Sequence, residues 1–133
     1  MNTWRVLFVK FAMTLIISII AFSFITVNPA GWVFFVALTA TVVNYLIGDL
    51  YVLPRFGNSI ASIGDGVLGI VVAYILGLMT RAFDPTMGSL LVFGILIAVG
   101  EMFFHPYLMR ANKVAPGGPE QEHQSEPEHH GEQ

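Results

Sequence analysis

Apolar side chains run almost unbroken through four stretches, approximately residues 6–27, 31–53, 60–80 and 86–109. Each can cross about 30 Å of hydrocarbon, which takes roughly 20 helical residues. The breaks between them carry turn chemistry: Asn28-Pro29-Ala30-Gly31, Pro54-Arg55-Phe56-Gly57-Asn58 and Arg81-Ala82-Phe83-Asp84-Pro85. Connections this short make neighbouring spans antiparallel. The pattern predicts an all-α membrane protein, with four transmembrane helices arranged as two helical hairpins in one domain, residues 1–110. Arg5 and Lys10 imitate the start of a signal peptide, but the apolar run after Lys10 is too long and no Ala-x-Ala follows it, so the first stretch is read as a span.

Composition sharpens this picture. Of 133 residues, 55% are hydrophobic and only 11% charged, too few charges to cover a water-soluble surface. There is no cysteine, which excludes disulfides, thiol nucleophiles and thiolate metal sites. Residues 1–110 carry five Lys/Arg against four Asp/Glu, whereas residues 111–133 carry one against five. The acidity belongs to that tail, and the body presents no basic face for nucleic acid. The tail is rich in Pro, Gly, Glu and His and has no aromatic residue, so it is expected to be a disordered cytoplasmic segment. Its His123, His129 and His130 can bind metal only weakly.

The Lys/Arg distribution sets the orientation. With the N-terminus inside, Arg5, Lys10, Arg55, Arg110 and Lys113 fall on the cytoplasmic side and only Arg81 outside. Both N-terminus and C-terminus are therefore expected inside, in a multi-pass plasma-membrane protein.

One phrase occurs twice. Gly48-Asp49-Leu50-Tyr51-Val52-Leu53-Pro54 ends the second span, and Gly100-Glu101-Met102-Phe103-Phe104-His105-Pro106 ends the fourth. Such a recurrence is expected if one hairpin was duplicated about an axis along the membrane normal. Each proline frees the carbonyl four residues back, that of Leu50 or Met102, which needs another partner in lipid. Each acid precedes its proline by five residues, roughly 7 Å along a helix, so Asp49 and Glu101 share one depth. Asp65, Asn44, His105 and Lys10 fall in the same inner-leaflet layer, and Arg55 is counted with them.

Helical spacing turns these groups inward. Asp65, Gly69, Ala73 and Gly77 form one stripe, and Gly94, Ala98, Glu101 and His105 another. Ala37, Thr41, Asn44 and Gly48 form a third, with Asp49 at its margin. Small residues at this spacing mark close helix contacts, within the bundle or between subunits. Two functions compete for the polar layer, Lys10, Asn44, Asp49, Arg55, Asp65, Glu101 and His105. In the first, Lys10 and Arg55 pair with the acids and fix the register of a structural or interaction protein. Its partners would be the lipid bilayer and a second copy or another membrane protein. In the second, the carboxylates centre a cation or proton carrier or channel, since oxygen-rich clusters suit hard cations. No nucleophile–base pair or His-x-x-x-His spacing is evident in the spans, so neither an enzyme nor a cofactor is expected. Four-helix multidrug exporters share the size, but they rely on a Glu in the first helix, where this chain has only Lys10 as an ionisable group.

At Asn44-Tyr45-Leu46-Ile47-Gly48-Asp49-Leu50-Tyr51-Val52-Leu53-Pro54-Arg55-Phe56-Gly57-Asn58, followed by Asp65, the chain resembles the YndM-like family. These are small, uncharacterised four-helix membrane proteins of Bacillus-type bacteria. The resemblance covers about residues 1–110 and leaves the tail outside. It implies an integral plasma-membrane protein and transfers neither an activity nor any site residue.

Overall fold

A computed structural model describes residues 3–112. Among these all regular structure is helical, in four long elements: α1 (Thr3–Phe24), α2 (Ala30–Phe56), α3 (Asn58–Met79) and α4 (Met87–Asn112). All four are long and apolar enough to span a membrane. α1 packs along α2 and α3 along α4, and contacts of α1 with α4 and of α2 with α3 close the bundle. α4 continues through Asn112, into the segment read from sequence as the tail from residue 111; the rest of that segment lies outside the described residues.

The bundle is inside-out relative to a water-soluble one. Phe8, Ile16, Phe34, Ile63, Val67, Ile95 and Phe103 point outward, while Lys10, Asn44, Asp49, Asp65, Glu101 and His105 are fully buried. Lipid is as apolar as leucine, so packing and polar contacts between helices, rather than exclusion of apolar faces, must hold such a bundle together. Two apolar layers flank the buried charges. One gathers Ile17, Phe22, Val33, Val36, Phe83, Phe93 and Ile97, with Phe22 edge-on to Phe83 at 5.1 Å. The other gathers Val6, Tyr45, Leu53, Ala61 and Phe104. On each helix the charged position lies between residues of these two layers, as at Val6, Lys10 and Ile17 on α1.

The two prolines are accommodated differently. The helix was expected to break at Pro54 but continues through it to Phe56, because a wider π-helical stretch, Asn44–Val52, precedes the ring. The looser winding relieves the collision a proline otherwise makes with the carbonyl four residues back. The turn into α3 is then made at Gly57 alone, whose φ of 88° favours glycine. The π winding also explains Asp49. With about 4.4 residues per turn, positions four and five after Asn44 straddle one inward direction, so Gly48 and Asp49 are both buried. Pro106 instead leaves α4 continuous, and its orphaned Met102 carbonyl accepts a hydrogen bond from Asn58 Nδ2 at 3.1 Å.

The small-residue stripes are consumed inside this bundle. A Cβ on Gly69 would sit 3.2 Å from the Phe93 ring, and one on Gly66 would sit 2.5 Å from the Gly94 carbonyl oxygen. The backbones of α3 and α4 therefore nearly touch at the Gly66–Gly94 crossing. At the opposite end of the bundle from Gly57, Asn28 ties the two loops together. Its Oδ1 accepts from the Asp84 backbone N–H at 2.8 Å, and its Nδ2 donates to the Phe22 carbonyl at 3.1 Å.

A buried charge cluster shared by four helices

Lys10 enters the bundle from α1, and its ammonium meets a carboxylate from each of the other helices. It bonds Glu101 Oε2 of α4, lies 3.1 Å from Asp49 Oδ2 of α2, and 3.9 Å from Asp65 Oδ2 of α3. The Phe104 ring stands 4.9 Å from the ammonium on another side. All four charged groups are fully excluded from solvent. Long lysine stems normally let the charge escape to water; here three acids hold it in.

His105 faces the same acids from below. Its Nε2 lies 3.0 Å from Asp49 Oδ1, 3.1 Å from Asp65 Oδ2 and 3.3 Å from Glu101 Oε1. Asp49 and Glu101 thus each present one oxygen to Lys10 and the other to His105. The opposite ring nitrogen, Nδ1, is 2.8 Å from Asn58 Oδ1 and 3.1 Å from Ser62 Oγ. Ser62 in turn donates to Asn58 Oδ1 at 3.0 Å. Asn44 contributes indirectly by donating from Nδ2 to the Asp65 carbonyl at 3.2 Å. Gly48 makes room for this contact zone, since any Cβ there would overlap the Asp65 carboxylate.

Of the seven side chains grouped by sequence, six converge. Arg55 does not. Because α2 runs on past Pro54, its guanidinium is carried outward, where it stacks over the Tyr51 ring at 4.2 Å and donates to the Tyr51 carbonyl at 3.4 Å. In its place the cluster recruits Asn58 and Ser62, which sequence reasoning missed. A signal was available, because Asn58, Ser62, Asp65 and Gly69 recur at steps of four, three and four, extending the acid's own stripe upward into the apparent loop. The Ser62–His105 contact also supplies a neighbouring hydroxyl and imidazole that linear spacing did not reveal. The Ser62 hydroxyl hydrogen is directed at Asn58 Oδ1. Asn58 Nδ2 donates to Met102, so Asn58 Oδ1 must be the acceptor toward His105, and Nδ1 already carries a hydrogen. The imidazole has no lone pair to offer Ser62.

Acidic side chains outnumber basic ones in the cluster. Three carboxylates face one ammonium and one imidazole, and Asp65 Oδ1, Asn44 Oδ1 and Thr14 Oγ1 are buried without a hydrogen-bond partner among the described residues. Cavities beside Thr80 and Arg81, beside Trp32, and between Phe8 and Leu38 are lined by none of these side chains.

Four apolar helices around a closed polar core define a multi-pass integral membrane protein. The chain belongs to the family described as "Protein of unknown function (DUF2512)", whose model matches residues 1–132, so the family pattern extends through the tail that the resemblance had left out. It is similar to the "Uncharacterized membrane protein YndM" of Bacillus subtilis (strain 168), with 39% identity over 79 residues, covering 59% of this chain and 44% of that protein. The aligned part therefore spans less than half the length of that relative. No solved structure matches the chain.

Proposed function

We propose that this is a non-catalytic structural or interaction protein of the plasma membrane, a four-helix unit whose register is locked by its buried charges. The observation that carries the reading is that one ammonium on α1 reaches carboxylates on α2, α3 and α4, all out of contact with solvent. Each helix supplies a charge that is costly in lipid unless the others are in place. A competing proton or cation carrier would need these groups to line a route, and the prominent cavities lie elsewhere. Because the small-residue stripes are spent on contacts within the bundle, a second copy or another membrane protein would dock on the outward aromatic and aliphatic faces.

Two tests bear on this proposal. A variant with the core charges neutralised together (Lys10→Met, Asp49→Asn, Asp65→Asn, Glu101→Gln) and the unaltered chain are reconstituted in vesicles carrying an internal pH dye under proton and cation gradients. The lock reading expects no flux from either. Flux from the unaltered chain that disappears in the variant would establish a carrier instead. For orientation, Lys10 no longer counts as a loop charge, yet Arg5, Arg55 and Arg110 at one end still outnumber Arg81 at the other, which favours both termini in the cytoplasm. The absence of native cysteine makes labelling simple. A single Cys replacing Arg81 should react with an impermeant maleimide on intact cells, and one replacing Arg55 should not. The reverse result would invert the topology.

A further inference from the structure

The orientation of His105 is set by a chain of contacts that begins at a proline. Pro106 frees the Met102 carbonyl, that carbonyl takes the Asn58 amide N–H, and the Asn58 carbonyl is thereby turned toward His105 Nδ1. In the neutral imidazole the proton is then on Nδ1 and the Nε2 lone pair points at three carboxylate oxygens, 3.0, 3.1 and 3.3 Å away. Four electron-pair donors meeting at such distances repel one another unless something positive lies among them. The ammonium of Lys10 lies chiefly against the other oxygens of Asp49 and Glu101. Even a single Nε2–H could satisfy only one of the three facing oxygens.

We propose that Asp49, Asp65, Glu101 and His105 form a binding site for one divalent transition metal. The four ligand atoms, one from each residue, all lie within 4.8 Å of one another and all four residues are buried. Ligands bound at about 2.0–2.2 Å in tetrahedral or adjacent octahedral positions stand about 2.9–3.5 Å apart, which spans the three separations from His105 Nε2. The outer hydrogen bond is that of a metal-binding histidine, whose remote N–H is held by an acceptor that fixes tautomer and ring angle. Three carboxylates and one imidazole suit Mn²⁺, Fe²⁺ or Zn²⁺ better than a purely oxygen-seeking ion. A double positive charge also brings the cluster, with Lys10 protonated, to neutrality. Thr14 Oγ1 and Asn44 Oδ1, both buried and unpartnered, are further oxygens in the same core. This inference goes beyond the lock reading, which needs only the ion pairs.

The test uses the full chain in detergent, stripped with a chelator and re-equilibrated with Zn²⁺ or Mn²⁺. The expected result is about one bound metal per chain. X-ray absorption at the zinc edge should show an oxygen-rich shell containing a single imidazole. Binding should vanish in the Asp49→Asn, Glu101→Gln double variant. It should weaken about 10–100-fold in Asn58→Leu, which touches no ligand atom but removes the acceptor that orients His105. If the variants fail to fold, the spectrum of the unaltered protein decides alone. A shell of several imidazoles would assign the metal to His123, His129 and His130 and overturn the site, as would metal that persists in the double variant. No bound metal at all would mean that protons close the charge, and would leave the lock reading standing.

Discussion

Lys10→Met is expected to be the most damaging single substitution in the bundle. Methionine nearly matches the lysine stem in volume, so little packing is lost, but three buried carboxylates keep only His105 as a partner. Removing one member of a buried ion cluster leaves uncompensated charge and typically costs about 3–5 kcal/mol. Replacing all of the charges by neutral groups of similar shape is often far milder. The fourfold neutral variant should therefore unfold at higher denaturant than Lys10→Met alone, although it carries three more substitutions. The comparison is read from helicity during unfolding in mild detergent. Equal stability of Lys10→Met and the unaltered protein would show that the ammonium neutralises nothing.

The second large effect is expected at Gly66. A Cβ there stands 2.5 Å from the Gly94 carbonyl oxygen and 3.2 Å from the Ala98 Cβ. The nearest obstacle is backbone, which cannot rotate aside, so Gly66→Val must part α3 from α4. Overpacking of this kind costs about 1–3 kcal/mol. The damage should be greater here, because Asp65 is the preceding residue and would be drawn away from His105. Gly64→Ala is the matched control: nothing lies within 4 Å of its Cβ, and alanine favours helix by about 1 kcal/mol over glycine. Unfolding of the two variants side by side should give opposite signs. A Gly66→Val protein as stable as the parent would mean that the helices do not cross so closely.

Much of this architecture was legible in the chain because a bilayer imposes simple rules. Four runs of about 20 apolar residues have few alternatives to four helices, and a charge within one of them must turn inward. Depth along each helix was enough to group Lys10, Asn44, Asp49, Asp65, Glu101 and His105. The errors arose where local winding departs from the regular period. Pro54 read as a break, and Arg55 as a neighbour of the acids, because nothing in the residues announced the π-helical stretch that carries α2 past the proline. Asn58 read as turn chemistry for the same reason, although it opens α3 and orients the histidine. The cross-helix partner of the Met102 carbonyl was foreseeable as a need but not as a residue, since a freed carbonyl does not say which side chain will reach it.

The distribution of the cluster over the two hairpins has a consequence for biogenesis. Of these two hairpins, the one synthesised earlier holds Lys10 and Asp49, an ion pair 3.1 Å apart. The later one holds Asp65 and Glu101 with His105 beside them, two acidic side chains and no Lys or Arg in the cluster. Lys10 of the earlier hairpin is the ammonium those acids meet, so the later hairpin is expected to settle in lipid only against the earlier one, and the linear order of the gene would become an order of assembly.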